Sequence, residues 1–100
     1  MDRDSIIILF RKLITSLSCI EKIAKDIELK EEATKYILDL IDQYNKIIET
    51  KEIKTINFKY SEEDLIDFSY RCIENKENDF VRLGEDIQFG IIELTKLLKW

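Results

Sequence analysis

Apolar residues recur along this chain at alternating spacings of four and three. Ile6, Phe10, Leu13, Leu17, Ile20, Ala24 and Ile27 form the first series, which a 3.6-residue period gathers on one stripe of a helix. Asp4 or Ser5 stands where a cap would accept a hydrogen bond from an exposed backbone N–H. Continuing the stripe requires apolar residues at 31 and 34, but the chain has Glu31 and Thr34 there. A second stripe starts at Leu29 and runs through Ala33, Tyr36, Leu40, Tyr44 and Ile47, flanked by Ile37, Ile41 and Ile48. The change of phase predicts a tight turn near Asp26–Glu28, unmarked by Gly or Pro, or else one long bent helix.

Between Thr50 and Tyr60 the helical period is lost. Ile56, Phe58 and Tyr60 alternate with Thr55, Asn57 and Lys59, a period of two that belongs to extended backbone. A single extended segment has no partner strand in the chain. It reads as a loop crossing the bundle, pinned by its apolar side chains, or as an edge open to another chain.

The third helix has the clearest start. Ser61 is the predicted N-cap, with Asp64 at the third helical position as in a capping box. Tyr60 and Leu65 are spaced for a hydrophobic staple. Glu62, Glu63 and Asp64 fill the first turn, where the helix dipole favours negative charge. Leu65, Phe68 and Cys72 form the inner stripe, with Ile66, Tyr70 and Ile73 beside it. Asn75 and Asn78 bracket a turn, since Asn tolerates left-handed backbone and also caps. The last helix carries Phe80, Leu83, Ile87, Ile91, Leu94, Leu97 and Leu98 on one broad face. Gly84 and Gly90 fall at its two edges, where close approach of a neighbouring helix accounts for them. The pattern as a whole predicts an all-α fold. A single domain over 1–100 forms a compact four-helix bundle, with an extended crossing segment before helix 3.

Composition changes this picture chiefly by what it lacks. The chain has no histidine and no proline, two glycines and two cysteines in 100 residues. It therefore has no imidazole base, no glycine-rich phosphate loop and no Cys-rich zinc spacing. The reading is a protein that is not an enzyme and holds no cofactor or metal. Cys19 and Cys72 read as reduced, partly buried thiols. Met1-Asp2-Arg3-Asp4 is acidic where a signal peptide is basic, and the apolar run Ile6–Phe10 is too short to cross a membrane. The expectation is a soluble cytoplasmic protein without a membrane partner.

Carboxylate pairs such as Asp39 with Asp42, or Glu31 with Glu32, are the available divalent-cation chemistry. The segment Gly84-Glu85-Asp86-Ile87-Gln88-Phe89 resembles the second motif of all-α nucleotide pyrophosphatases of the MazG type, with Asp86 and Phe89 in the corresponding places. That resemblance implies a carboxylate-bound cation. However, Lys35 stands where a third carboxylate is wanted, and no Glu-x-x-Asp occurs in the chain. The first helix is similar to those of HEPN-type ribonucleases, whose Arg-x-x-x-x-His cannot exist here, so this likeness implies a helical bundle alone. The nearest basic patch, Lys46, Lys51, Lys54 and Lys59, is diluted by Glu49 and Glu52, which argues against a nucleic-acid partner.

The second half is where charge concentrates. From Ser61 to Glu93 ten carboxylates face three basic residues, Arg71, Lys76 and Arg82, a balance of −7 against −5 for the whole chain. The rest of the molecule is therefore +2. Phe89, Ile92 and Trp100 project off the core face of the last helix, and exposed aromatics beside carboxylates have the makeup of protein interfaces. The expected partner-binding residues are Glu62, Glu63, Asp67, Glu74, Glu85, Asp86, Phe89 and Glu93. In size, acidity and lack of catalytic residues the chain resembles the small acidic immunity proteins paired with bacteriocins and contact-dependent growth-inhibition toxins. This is a resemblance of class, without a diagnostic motif. It implies a non-catalytic inhibitor that neutralises a basic, nuclease-type toxin by direct binding. The alternative is a homo-oligomeric helical module, a homodimer for instance, that covers its apolar overflow with a twin subunit.

Overall fold

The computed structural model describes residues 3–50 and 56–98. Among these the chain forms four helices: α1 (Arg3–Ile23), α2 (Ile27–Thr50), α3 (Glu62–Glu74) and α4 (Val81–Leu98). The bundle measures 40 × 20 × 19 Å. α1 packs against both α2 and α4, and α3 packs against α4, while α2 and α3 barely touch.

The apolar stripes build the core. Phe10, Leu13 and Leu17 of α1, Leu40 of α2, Phe68 of α3, and Ile87 and Ile91 of α4 are all buried. Phe80, just ahead of α4, is buried with them. Each such side chain stabilises the fold by about 1.5–3 kcal/mol relative to leaving it in water.

The phase change near residue 26 is a turn. α1 stops at Ile23 and Ala24–Asp26 reverse the chain. Asp26 caps α2, its Oδ1 accepting from the Glu28 N–H at 2.9 Å. This corrects the first stripe at its end: Ile27 opens α2 and is 69% exposed, because the reversal takes it off the α1 face. Asp4 and Ser5 lie inside α1, since the helix is already formed at Arg3. They do not cap it. Arg3 donates from Nη2 to the Ile47 carbonyl at 3.4 Å, and Arg11 donates from Nε to the Tyr44 hydroxyl at 3.0 Å. The two contacts tie α1 and α2 as an antiparallel hairpin.

Tyr44 is only half-buried, its ring tilted on Phe10 at 6.4 Å. The core position assigned to it belongs to Gln43, which is buried. Gln43 and the buried Asp39 hold the crossing segment. The Gln43 side-chain oxygen accepts from the Asn57 N–H at 2.9 Å. Asp39 accepts from the N–H of Lys59, at 3.0 Å, and from that of Tyr60, at 3.3 Å. Phe58 stacks on Phe10 at 6.0 Å, and Tyr60 meets Tyr36 edge-on at 5.2 Å. The period-two segment is thus a crossing loop, with its apolar side chains against the core and its backbone donors met by α2. Thr55 lies outside the described residues.

α3 starts as expected. Ser61 and Asp64 form a capping box, each side chain accepting from the other's backbone N–H. Asn75 ends the helix with φ −65° and ψ 126°. It is not left-handed. Its side-chain oxygen turns the chain by accepting from the N–H groups of Glu77 and Asn78. The two glycines of α4 sit at close approaches. A Cβ at Gly84 would lie 2.5 Å from Ile73 Cγ1 and 2.9 Å from the Ser69 backbone oxygen, and one at Gly90 would lie 2.8 Å from Leu13 Cδ2.

Candidate protein-binding surface

The inward stripes of α3 and α4 fix what those helices turn outward. α3 buries Leu65, Phe68, Ser69 and Cys72, so the positions opposite, Glu63, Asp67, Tyr70 and Glu74, are exposed. They follow one another at spacings of four, three and four, which keeps them on one strip of the helix. α4 buries Gly84, Ile87, Gly90, Ile91 and Leu94, and exposes Glu85, Asp86, Phe89 and Ile92. Phe89 is 62% exposed and Ile92 47%. Glu85 and Glu93 are one turn before and after Phe89, and Asp86 is three residues before it, so three carboxylates flank the ring. Glu93 is half-buried and meets Lys96 at 3.3 Å. Glu62, in the first turn of α3, is also half-buried. Trp100 lies outside the described residues.

The α3 strip is partly neutralised. Arg71 Nε donates to Asp67 at 3.2 Å. Its two terminal nitrogens go to both carboxylate oxygens of Glu32 on α2, at 2.5 and 2.6 Å. Those hydrogen bonds hold the Glu32 carboxyl below the ordinary carboxylate range, against the opposing effect of partial burial. Asp64 is committed to the capping box. The α4 strip is mixed as well: exposed Arg82 and Lys96 lie two turns either side of Phe89 and Lys96 answers Glu93, which leaves Glu85 and Asp86 as the exposed carboxylates beside the ring. Tyr70, 54% exposed between Asp67 and Glu74, adds an aromatic that the sequence reading assigned to the flank of the packed stripe.

Three of the four carboxylates considered as cation ligands have other partners. Asp39 is spent on the crossing segment, Asp42 pairs with Lys46 at 3.6 Å, and Glu32 is held by Arg71. Among the described residues no group of three or more His, Cys, Asp or Glu side chains is placed to hold a metal ion. Of the basic patch, Lys46 and Lys59 line an open groove of about 380 Å³ along α2 and the crossing segment, together with Lys35 and Leu38. Lys51 and Lys54 lie outside the described residues. The groove is mixed in charge, because Asp42 answers Lys46 and the Lys59 ammonium lies 5.8 Å from the Tyr60 ring centre.

The two thiols differ. Cys19 is exposed on α1, which corrects the expectation of two partly buried thiols. Cys72 is buried in the core, and burial pushes its pKa up to about 12. It is a packing residue without nucleophilic character at neutral pH. Among the described residues no helix is long and apolar enough to cross a membrane.

Neither a protein-family model, nor a characterised protein, nor a solved structure matches this chain.

Proposed function

We propose that this chain is a non-catalytic binding protein whose acidic α3–α4 face docks on a basic protein surface, as an immunity-type inhibitor covering the active site of a nuclease toxin. The observation that carries the reading is Phe89, 62% exposed on α4 between Glu85 and Glu93. A large exposed aromatic ringed by carboxylates combines an apolar anchor with charges that speed encounter and select a partner. A toxin active site that binds nucleic-acid phosphates is basic, and so complementary in sign. The residues assigned to contact are Phe89, Glu85, Asp86 and Glu93, with Glu63, Asp67 and Glu74 on α3 and Glu62 at its rim. The reading carries a cytoplasmic location, where exposed Cys19 stays a thiol.

An inhibition titration tests it. The proteins to titrate are basic nucleases encoded next to this chain's gene, where the reading expects the toxin to be found. Added in equal amount, the chain should abolish nuclease activity. Glu85→Lys with Asp86→Lys should lose that inhibition while keeping helicity, whereas Glu28→Lys with Glu31→Lys on α2 should retain it. Equal inhibition by both variants would sink the acidic-face assignment.

A further inference from the structure

α3 presents a second aromatic ring to solvent, in surroundings unlike those of Phe89. Tyr70 is 54% exposed, whereas Tyr36 is buried and Tyr44 and Tyr60 are half-buried. The Tyr36 hydroxyl donates to Glu32, and the Tyr44 hydroxyl accepts from Arg11. Among the described residues the Tyr70 hydroxyl has no such partner. Glu63, Asp67 and Glu74 share its strip, and none of the four positions is a cation. Arg71 lies to one side, engaged by Glu32 and Asp67, and Lys76 lies beyond the end of the helix. Glu63 and Glu74 form no ion pair among the described residues.

The packing of α4 gives this strip its place. A Cβ at Gly84 would lie 2.9 Å from the Ser69 backbone oxygen. Tyr70 follows Ser69 and Glu85 follows Gly84, so Tyr70 stands on α3 close to the level of Glu85 on α4.

We infer that Tyr70 is a second anchor of the proposed docking face, its ring meeting a lysine or arginine of the basic partner whose charge Glu63, Asp67 and Glu74 answer. The inference rests on the inhibitor reading and extends it from α4 to α3. An exposed tyrosine offers a large apolar area at low cost in side-chain freedom, and its hydroxyl supplies a hydrogen bond that the free chain leaves to water. A cation is attracted to the face of an aromatic ring, more so once water is excluded. Asp67 is three residues before Tyr70 and Glu74 four after it, so both stand beside the ring on the helix surface. Around Phe89, by contrast, Arg82 and Lys96 share the strip with the carboxylates. The charge recognition of a basic surface therefore centres on Tyr70, and Phe89 supplies apolar contact.

Titration of each basic nuclease encoded next to this chain's gene tests it. Wild type should inhibit one of them. Tyr70→Ala should then raise the concentration for half-inhibition at least about tenfold. Tyr70→Phe keeps the ring and should raise it about threefold, for the lost hydroxyl. The position is exposed, and circular dichroism checks that both variants fold. Nitration by tetranitromethane, mapped by mass spectrometry, gives a second readout. Tyr70 should react readily in the free chain and at least severalfold more slowly in the complex. Wild-type inhibition that Tyr70→Ala leaves unchanged overturns the second anchor while leaving the Phe89 contact in place. So does a Tyr70 nitrated as fast in the complex as alone. Failure of wild type to inhibit any of these nucleases overturns the inhibitor reading, and the second anchor with it.

Discussion

Arg71 of α3 and Glu32 of α2 form a two-pronged ion pair across the bundle, each terminal guanidinium nitrogen facing one carboxylate oxygen at 2.5 and 2.6 Å. The pair spans two helices that otherwise touch little. It is further fixed by Asp67 on the Arg71 Nε and by the Tyr36 hydroxyl, which donates to Glu32 at 3.1 Å. Bidentate geometry makes such a pair stronger than a point contact between charges.

A double-mutant cycle measures that link. The Glu32 side chain is 24% exposed and that of Arg71 42%, so solvent screening trims the pair well below a buried one. Comparing wild type, Glu32→Gln, Arg71→Gln and the double variant by urea denaturation should give a coupling of about 1 kcal/mol. Additive losses would mean that the two side chains do not depend on each other.

The same pair sets an acid dependence. Because the folded carboxyl of Glu32 titrates below its ordinary value of 4.5, its stabilisation is complete above that value. It is lost as pH falls through the folded pKa. The stability gap between wild type and Glu32→Gln should be constant above about pH 5 and close as pH falls below the ordinary carboxylate range, as read from urea midpoints. A gap that persists at the acid end would remove the charge from the explanation.

Asp39 makes a prediction about the crossing segment. Asp39→Ala leaves the Lys59 and Tyr60 N–H groups without their acceptor, at a cost of about 1–3 kcal/mol. Hydrogen exchange at those two amides should accelerate before that of the helix cores. Unchanged protection there would show that the apolar side chains alone hold the segment.

What the sequence made legible follows from what periodicity encodes. The core stripes were readable because a buried helical face must repeat every 3.6 residues, and Leu13, Leu40, Phe68 and Ile91 obey that. The turn before Ile27 was readable only as a loss of phase, so its position was blurred and Ile27 fell on the wrong stripe. Gln43 was missed because a polar residue at a core position looks like a break in the pattern. Its partner, the Asn57 backbone N–H, has no side-chain signature. The Arg71–Glu32 pair, 39 residues apart, was hidden for a similar reason: charges carry no spacing rule across a tertiary contact. The outward placement of Phe89 was legible from its angle about the helix axis. The same arithmetic left Tyr70 on the flank, because a residue at the edge of a stripe can turn either way.

The two glycines should differ. Gly84→Ala sets a methyl against the Ser69 backbone oxygen, which cannot yield without moving α3. Gly90→Ala meets only the side chain of Leu13. Alanine contributes up to about 1 kcal/mol in helix propensity at either position, and overpacking typically costs about 1–3 kcal/mol. Thermal unfolding should show a clear net loss at Gly84 and a smaller one at Gly90. The reverse order would contradict the assigned close approaches.

The central claim is that Phe89 and the carboxylates around it meet a basic protein, and association kinetics with the proposed toxin partner test it most directly. The association rate of wild type should fall steeply with added salt, because screening shortens the reach of exposed charge. Phe89→Ala should leave that salt slope in place and raise the dissociation rate at least tenfold, as loss of an anchor does. Association indifferent to salt, together with a dissociation rate unchanged by Phe89→Ala, would contradict the claim and leave the acidic face as solvated surface.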